Sequence, residues 1–308
     1  MKDSMKDEEK KTRRQEKKKN HRVSNLALVL ILLAGAAIMA YPAFSEYWNG
    51  LHQSRAIMGY AQRVAELTNE EYETIWSSAL DYNERLLKLP NRWMVEHDEE
   101  LKADYETQLN ADGTGNMGFI TIPKINVNLP LYHGTTDSVL QTSIGHIAGT
   151  SLPAGSLYTD EADYLNPAFA SHCVLSGHRG LPSARLFSDL DAMEVGDVFY
   201  MTILDQTLTY EVDKITVILP EDTEELEIVP GKDLCTLMTC TPYGINTHRL
   251  LVRGTRIENE KKKLNVRITA DGLRIDPLYV APFLAIPVLI MMVLWVLVMT
   301  SGHRKSRY

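Results

Sequence analysis

Two uncharged apolar runs lie near the two ends of the chain. The first covers residues 26–44, LALVLILLAGAAIMAYPAF, and the second covers residues 277–300, PLYVAPFLAIPVLIMMVLWVLVMT. Each has about the length of a helix that spans the hydrocarbon core of a bilayer, roughly 20 residues. A cleaved signal peptide is the alternative for the first run, but the run is long for one and lacks a convincing small-x-small cleavage site. We therefore predict two transmembrane helices.

Basic residues lie beyond each apolar run, towards the chain termini. Residues 1–25 carry ten Lys or Arg against five acidic residues, and residues 301–308 add three more basic side chains. Because basic segments stay on the cytoplasmic side of a membrane, both ends are predicted to be basic cytoplasmic tails. The chain between the runs, about residues 45–276, is then predicted to be extracellular, and the protein is predicted to reside in the cell membrane.

Residues 45–88 show the helical spacing of apolar positions. HQSRAIMGYAQRVAEL has apolar residues three and four positions apart. Thr68 followed by Glu71 forms a capping-box pattern, which predicts that a second helix starts there. Residues 89–116 are polar, and they are predicted to be either a linker or a movable lid.

The alternation of apolar and polar residues that is typical of β-strands begins at residue 117. The strand candidates are MGFITIPKINVNLPLYHG, SHCVLSGH, DVFYMTI, QTLTYEVDKITVIL, LCTLMTC and HRLLVRGTRI. Short strands at this spacing are typical of a closed or nearly closed barrel. The pattern predicts a mainly β domain over residues 117–258, interrupted by one short helix at SARLFSDLDAM and followed by a linker over residues 259–276.

Composition and motif content exclude several classes of function. The formal net charge is -8 although both tails are basic, so the body of the chain is acidic, which disfavours a nucleic-acid partner. The sequence has no C-x-x-C or H-E-x-x-H zinc spacing, no P-loop, no dinucleotide fingerprint and no G-x-S-x-G elbow. We therefore expect neither a metal nor a cofactor.

Three polar residues remain that could carry out chemistry together. Cys240 ends one apolar run, Arg249 lies in the run that returns after a Pro-Tyr-Gly turn, and His178 follows the run VLSG. A thiolate is a nucleophile, an imidazolium protonates a departing amine, and a guanidinium stabilises an oxyanion. This set predicts an acyl-transfer site. The alternative on spacing alone is a core cysteine and a structural histidine, because cysteine is among the most buried residue types.

The segments that contain these residues resemble a known family. TLMTCTPYGINTHRLLVRG, VLSGHRGLPSARLFSDLDAMEVGD and IPKINVNLPLYHGTTDSVLQTSIGHIAGTSLPAG are similar to the class C sortases, the pilin polymerases of Gram-positive bacteria. The resemblance covers about residues 40–258. It implies a sortase-type eight-stranded β-barrel with N-terminal helices, flanked here by two transmembrane helices. The second apolar run also fits this class better than it fits the housekeeping sortases.

The resemblance also implies roles for the three residues. Cys240 matches the nucleophile that attacks the Thr–Gly carbonyl of an LPxTG-like sorting signal, and His178 matches the acid that protonates the leaving glycine amine. Arg249 matches the cation that holds the substrate or the oxyanion. A lysine amine of another pilin subunit would then resolve the thioester and give an isopeptide bond. Four other histidines match no catalytic role and are expected to be structural: His133, His146, His172 and His248.

Three alternatives to pilus assembly stay open at this point. A sortase could instead attach a surface protein or a finished pilus to peptidoglycan, which requires a cell-wall amine as the acceptor. A cysteine endopeptidase would let water resolve the thioester. A membrane scaffold without catalytic activity could keep the barrel alone, although the intact Cys240, His178 and Arg249 argue against it.

The chain departs from the family in the segment that would form a lid. Class C sortases usually carry an Asp-Pro-aromatic motif in a lid that covers the cysteine. The nearest candidate here is LPNRW, with Pro90 and Trp93, and no aspartate precedes the proline. We hypothesise that Trp93 covers the site; the alternative is that the protein has no occluding lid.

Two further cysteines stand at matching distances from the site residues. Cys173 lies five residues before His178, and Cys235 lies five residues before Cys240. Since the family fold pairs these two strands in parallel, the resemblance implies that the two thiols are close together. A disulfide is one alternative outside the cell. Two core thiols are favoured, because adjacent parallel strands seldom give good disulfide geometry.

Overall fold

The computed structural model describes residues 2–155 and 170–259. The predicted second transmembrane run at residues 277–300, the tail at residues 301–308 and nearly all of the linker predicted at residues 259–276 lie outside the described residues. The first 44 residues belong to one compact unit, and the described chain from Ser45 onward belongs to another.

Helix α1 (Lys2–Ala65) is one continuous helix that includes the predicted N-terminal anchor and the first predicted external helix, with Pro42 inside it. Within the part of the chain that the structure describes, Ala27–Ala65 is the one helical stretch long and apolar enough to cross a membrane. Its apolar window has a mean hydropathy of 2.3, and none of that window is buried. A signal sequence has the same properties. The helix therefore supports membrane association, whereas the predicted pair of spans rests on the sequence alone.

Helix α2 (Asn69–Leu87) begins at the predicted capping box. Thr68 Oγ1 accepts a hydrogen bond from the backbone N of Glu71 at 3.2 Å, and the Glu71 carboxylate accepts one from the backbone N of Thr68 at 2.8 Å. These two bonds satisfy backbone donors that have no partner inside the helix. The buried side of α2, which includes Tyr82 and Leu86, packs into the main hydrophobic cluster of the barrel.

Residues 89–116, predicted as a linker or a movable lid, are folded against the barrel. They contain a 3-10 helix (Arg92–Glu96) and helix α3 (Glu99–Thr107). Val95 and Tyr105 are buried in the same cluster as the interior of the barrel. Most residues of the segment are polar, and they hide these few apolar positions in the sequence.

Eight strands form a closed barrel, and this confirms the fold that the resemblance implied. In chain order they are β1 (Asn116–Ile122), β2 (Val127–His133), β3 (Ile144–His146), β4 (Ser171–Ser176), β5 (Val198–Ile203), β6 (Gln206–Ile218), β7 (Asp233–Thr241) and β8 (His248–Ile257). Around the barrel the order is β1-β2-β3-β4-β7-β8-β6-β5. The pairs β2–β3 and β4–β7 are parallel, and the other pairs are antiparallel. Strands β4 and β7 are therefore neighbours although β5 and β6 lie between them in the chain.

Short helical elements connect the strands. Among the described residues they are helix α4 (Asp137–Leu140) and the 3-10 helices Pro123–Ile125, Leu190–Ala192 and Glu224–Leu226.

The predicted short helix at SARLFSDLDAM is wrong, because only the 3-10 helix Leu190–Ala192 forms within that segment. Leu186 has a φ of 42°, in the left-handed region that an α-helix cannot contain. Leu186 and Phe187 are both buried, so consecutive side chains are drawn into the core there. The apolar spacing that suggested a helix belongs to a loop that packs inward.

The two additional cysteines lie inside the barrel. Cys173 on β4 is paired directly with Cys235 on β7, and both are buried. Both are free thiols, in agreement with the favoured expectation of core cysteines. Burial raises the pKa of the Cys235 thiol well above its usual value. Since the thiolate is the reactive form, this cysteine is expected to be inert in the folded protein.

We expect alkylation of the unfolded, unreduced protein to add three alkyl groups, one for each cysteine. Intact mass spectrometry measures the number of groups added, and the same sample reduced before alkylation is the control. A gain of one group without reduction and three after it would mean that Cys173 and Cys235 form a disulfide.

Candidate active site

Cys240 and Arg249 lie opposite each other on adjacent antiparallel strands. The register of β7 and β8 pairs Cys240 directly with Arg249. Directly opposed residues of such a pair point to the same face, with Cβ atoms about 5 Å apart. Side chains alternate along β7, so Cys240 shares the outer face with Met238, whereas Leu237 belongs to the interior cluster. The hairpin therefore brings the arginine to the side of the thiol, as the sequence predicted.

His178 reaches the same end of the barrel through the parallel pairing of β4 with β7. The last pair in that register is Ser176 with Met238, and the backbone N of Gly177 then donates to the carbonyl O of Met238 at 3.1 Å. Two residues beyond that pair, His178 follows on one strand and Cys240 on the other. Thr239 Oγ1 donates to the Gly177 carbonyl at 2.7 Å, which holds the two strands together beyond the last backbone pair.

Gly177 is required by close packing just before His178. A Cβ atom at residue 177 would lie 2.6 Å from Ile144 Cδ1 and 2.7 Å from Phe187 Cδ2, both closer than van der Waals contact allows. The backbone N of Phe187 also donates to the His178 carbonyl at 3.1 Å. The glycine and the buried phenylalanine thus fix the backbone that carries the imidazole.

The guanidinium of Arg249 is held by two backbone carbonyls, one in the loop between β7 and β8 and one at the first residue of β8. Arg249 Nη1 donates to the carbonyl of Asn246 at 3.3 Å and to the carbonyl of His248 at 3.2 Å. Cys240 is partly exposed to solvent, in contrast to the two interior cysteines. A partly exposed thiol with an arginine paired opposite it in the strand register is an arrangement suited to acyl transfer.

Arg179 is a second cation at this end of the barrel, and it did not stand out in the sequence beyond being adjacent to His178. Its Nη1 donates to Thr241 Oγ1 at 3.3 Å, and its Nη2 forms an ion pair with the Asp191 carboxylate. Its guanidinium also lies 5.9 Å from the centre of the Tyr243 ring. These partners are distant in the chain, so spacing alone gave no indication of them.

Trp93 packs on the outer face of the sheet, the face that carries Cys240. It contacts a small hydrophobic cluster whose other members include Val174, Leu226, Met238 and Leu251. Pro90, the other residue of the predicted lid motif, is exposed.

The neighbouring Arg92 holds the 3-10 helix that carries Trp93 in place. Its guanidinium lies 4.6 Å from the centre of the Trp93 ring. Arg92 Nη2 donates to the Leu226 carbonyl at 3.0 Å and lies 3.0 Å from the Glu227 carboxylate. The segment therefore rests on the loop between β6 and β7 and on the sheet beside the thiol.

Three of the four histidines expected to be structural have contacts that fit this expectation. His172 Nδ1 lies 2.8 Å from the Glu227 carbonyl and its Nε2 lies 2.8 Å from Thr236 Oγ1. Burial lowers the pKa of His133 and of His172 to about 4. Both are therefore neutral at pH 7. His146 is buried and lies 2.9 Å from the Tyr105 hydroxyl.

Within the described residues, no group of three or more His, Cys, Asp or Glu side chains is arranged to hold a metal ion. The polar groups at the end of β4 and β7 include a thiol, an imidazole and two guanidinium groups. Such a set is suited to nucleophilic attack on a carbonyl, with proton transfer and oxyanion stabilisation supplied by side chains.

Comparison with known proteins assigns the barrel to a family. Residues 120–257 match the model of the sortase domain. The chain is 33% identical over 155 residues to sortase A of Streptococcus agalactiae serotype III, and the match spans 50% of this chain and 56% of that protein.

Solved structures give a similar result over a longer part of the chain. Sortase C1 from Streptococcus agalactiae is 50% identical, with a TM-score of 0.60, and the match covers 67% of this chain and all of that one. Sortase C of Streptococcus pneumoniae, whose structure is described in terms of pilin substrate specificity, is 37% identical with a TM-score of 0.55. That match covers 67% of this chain and 97% of the pneumococcal one.

We expect Trp93→Ala to make Cys240 react faster with a small alkylating reagent, because the indole covers part of the face that carries the thiol. We also expect the free energy of unfolding to fall by about 1–2 kcal/mol, since a half-buried ring loses its apolar contacts. Peptide mapping by mass spectrometry measures the alkylation rate at Cys240.

The matched control is Met94→Ala, which removes an exposed side chain from the same 3-10 helix. Equal alkylation rates in the wild type and in Trp93→Ala would contradict the hypothesis that Trp93 acts as a lid.

Proposed function

This chain belongs to the sortase family of cysteine transpeptidases, and from that premise we propose that it joins pilin subunits outside the cell. The proposed substrate is an LPxTG-like sorting signal, which is cleaved between Thr and Gly and then joined to a lysine amine of another pilin. The observation that carries the proposal is the direct pairing of Cys240 with Arg249 beside the strand end that leads to His178.

The first half of the proposed reaction forms an acyl-enzyme. The Cys240 thiolate attacks the threonine carbonyl carbon, and the developing oxyanion is stabilised by the Arg249 guanidinium, which keeps its proton throughout. The C–N bond to glycine then breaks, and His178 gives a proton to the departing amine. The products are a thioester on Cys240 and a free glycine amine.

The second half transfers the acyl group to the acceptor. A neutral lysine amine of the second pilin attacks the thioester carbonyl, and the C–S bond breaks to regenerate the thiolate. His178, now neutral, accepts the proton that the amine loses. The result is an isopeptide bond, and the enzyme returns to its starting protonation state.

Two observations favour a pilin as the acceptor over a cell-wall amine. The sortase C1 structures are 35% to 50% identical to this chain, whereas the sortase A of Streptococcus agalactiae is 33% identical. The sequence also carries a second apolar run at residues 277–300, a feature associated with the pilin-joining class. Attachment of surface proteins to peptidoglycan remains the second candidate function, favoured by the similarity to sortase A.

The proposed location follows from the two ends of the chain. The apolar part of α1 would anchor the protein in the cell membrane, and the basic residues before it would stay in the cytoplasm. The barrel would then face outward, where sorting signals of exported proteins arrive. The second span at residues 277–300 and the short basic tail after it complete this proposed topology.

We expect the full-length protein in detergent to form a covalent adduct with an LPxTG-type peptide, detected by intact mass, and to pass it to a pilin that bears its acceptor lysine. Cys240→Ala should abolish the adduct, and Cys173→Ala is the matched control, because that buried thiol has no proposed role. We expect Arg249→Ala to reduce kcat by about 10²–10³-fold, as for removal of an oxyanion donor.

Each other outcome of this experiment selects a different function. Transfer to water alone would indicate an endopeptidase, and transfer to a wall-type amine alone would indicate attachment to peptidoglycan. If no adduct forms on the wild type or on Trp93→Ala with any LPxTG-type peptide, a scaffold without catalytic activity would replace the proposed transpeptidase.

A further inference from the structure

We propose that Arg179 is a positioning residue that sets the geometry between His178 and Cys240, an inference that rests on the proposed function. Arg179 is not one of the three residues with proposed catalytic roles, which are Cys240, His178 and Arg249. Arg179 is neither the nucleophile nor the proposed oxyanion cation, and it acts through the backbone segments that carry those groups.

Two side-chain hydrogen bonds flank the proposed catalytic pair. Before the pair, Thr239 Oγ1 donates to the Gly177 carbonyl at 2.7 Å. After the pair, Arg179 Nη1 donates to Thr241 Oγ1 at 3.3 Å. In each case the bond joins a residue next to the histidine with a residue next to the cysteine. The backbone ladder of β4 and β7 ends before the pair, so these two bonds replace it there.

Arg179 also connects this strand end to the loop between β7 and β8. Its guanidinium lies 5.9 Å from the centre of the Tyr243 ring in that loop. Gly180 lies against the same ring, since a Cβ atom there would be 3.0 Å from Tyr243 Cε2. The Asn246 carbonyl, which accepts from Arg249, belongs to the same loop. Displacing Arg179 is therefore expected to disturb the cation as well as the imidazole.

The burial of Arg179 indicates that it contributes little to stability. Its side chain is only 10% exposed, whereas the side chain of its partner Asp191 is 53% exposed. Its Nε is buried without a hydrogen-bond partner among the described residues. The free energy needed to desolvate an incompletely paired guanidinium cancels much of the free energy that its ion pair contributes.

Arg256 at the other end of the barrel shows the contrasting case. It is 8% exposed, it lies 3.6 Å from Asp233, and that carboxylate is itself only 4% exposed. Its guanidinium also lies over a ring, that of Tyr210. Removing Arg256 would leave the buried Asp233 carboxylate without its cation, so the role of Arg256 is structural. Removing Arg179 would leave Asp191 in water, so loss of stability is not expected there.

The test measures steady-state transfer from an LPxTG-type peptide to an amine acceptor by full-length Arg179→Met in detergent. We expect kcat to fall about tenfold with KM within about twofold of the wild type, since a misplacement well below 1 Å already slows a reaction. We expect the melting temperature to stay the same or to rise.

Variants at the partner residue separate positioning from simple packing. Thr241→Val removes the hydroxyl that accepts from Arg179 and should lower kcat. Thr241→Ser keeps the hydroxyl and should have a kcat close to that of the wild type. Arg179→Lys keeps the charge near Asp191 but offers a single ammonium group, so an intermediate kcat is expected. The matched control is Arg185→Met, which removes an arginine of the same loop that pairs with Asp189 and should leave kcat unchanged.

A kcat of Arg179→Met within twofold of the wild type would overturn the proposal. A melting temperature lowered by more than a few degrees, together with equal losses of kcat and kcat/KM, would also overturn it. The role of Arg179 would then be structural. If the wild type transfers no peptide, the proposed function fails and the alkylation rate of Cys240 decides the present inference. An unchanged rate in Arg179→Met would then contradict it, and an altered rate would support it.

Discussion

The parallel pairing of β4 with β7 is the constraint on which the candidate site depends. It joins residues about 60 positions apart, such as Ser171 and Asp233 with a separation of 62. Because side chains alternate along a strand, this one register determines which residues of β4 and β7 face the interior of the barrel and which face outward. Cys173 and Cys235 meet inside the barrel, and His178 follows on the outside at the level of Cys240. A slip of one residue would turn the proposed nucleophile into the core.

The outer face of the sheet beside Cys240 is partly covered by apolar side chains. Trp93 and Met238 belong to a second, small hydrophobic cluster outside the main core. Arg92 and the loop between β6 and β7 hold the covering segment by an ion pair and a hydrogen bond to a carbonyl. The thiol thus lies at the border between an apolar surface and solvent, where a polypeptide can lay apolar side chains on one side of it.

The sequence predicted the long strands because each depends on a local pattern, whereas the roles of Cys240, His178 and Arg249 come from the family resemblance and stay a prediction. Alternation marks β7 and β8, and the turn between them makes the approach of Arg249 to Cys240 a local event. Strand β3 is three residues long, too short to show a period. The helix expected at SARLFSDLDAM fails because tertiary packing draws Leu186 into a left-handed conformation. Arg179 could not be assigned from sequence, since its partners lie in the 3-10 helix Leu190–Ala192 and at the end of β7.

The separation between β4 and β7 also bears on how the protein reaches its active form. Contacts between residues far apart in the chain form slowly, because a long loop must close before they contribute any stability. The β5–β6 hairpin can form by itself, but the thiol and the imidazole meet only after the chain has closed around it. Catalytic competence should therefore appear together with complete folding of the barrel. A partly folded chain could already pair Cys240 with Arg249 in the local β7–β8 hairpin, but His178 would not lie nearby.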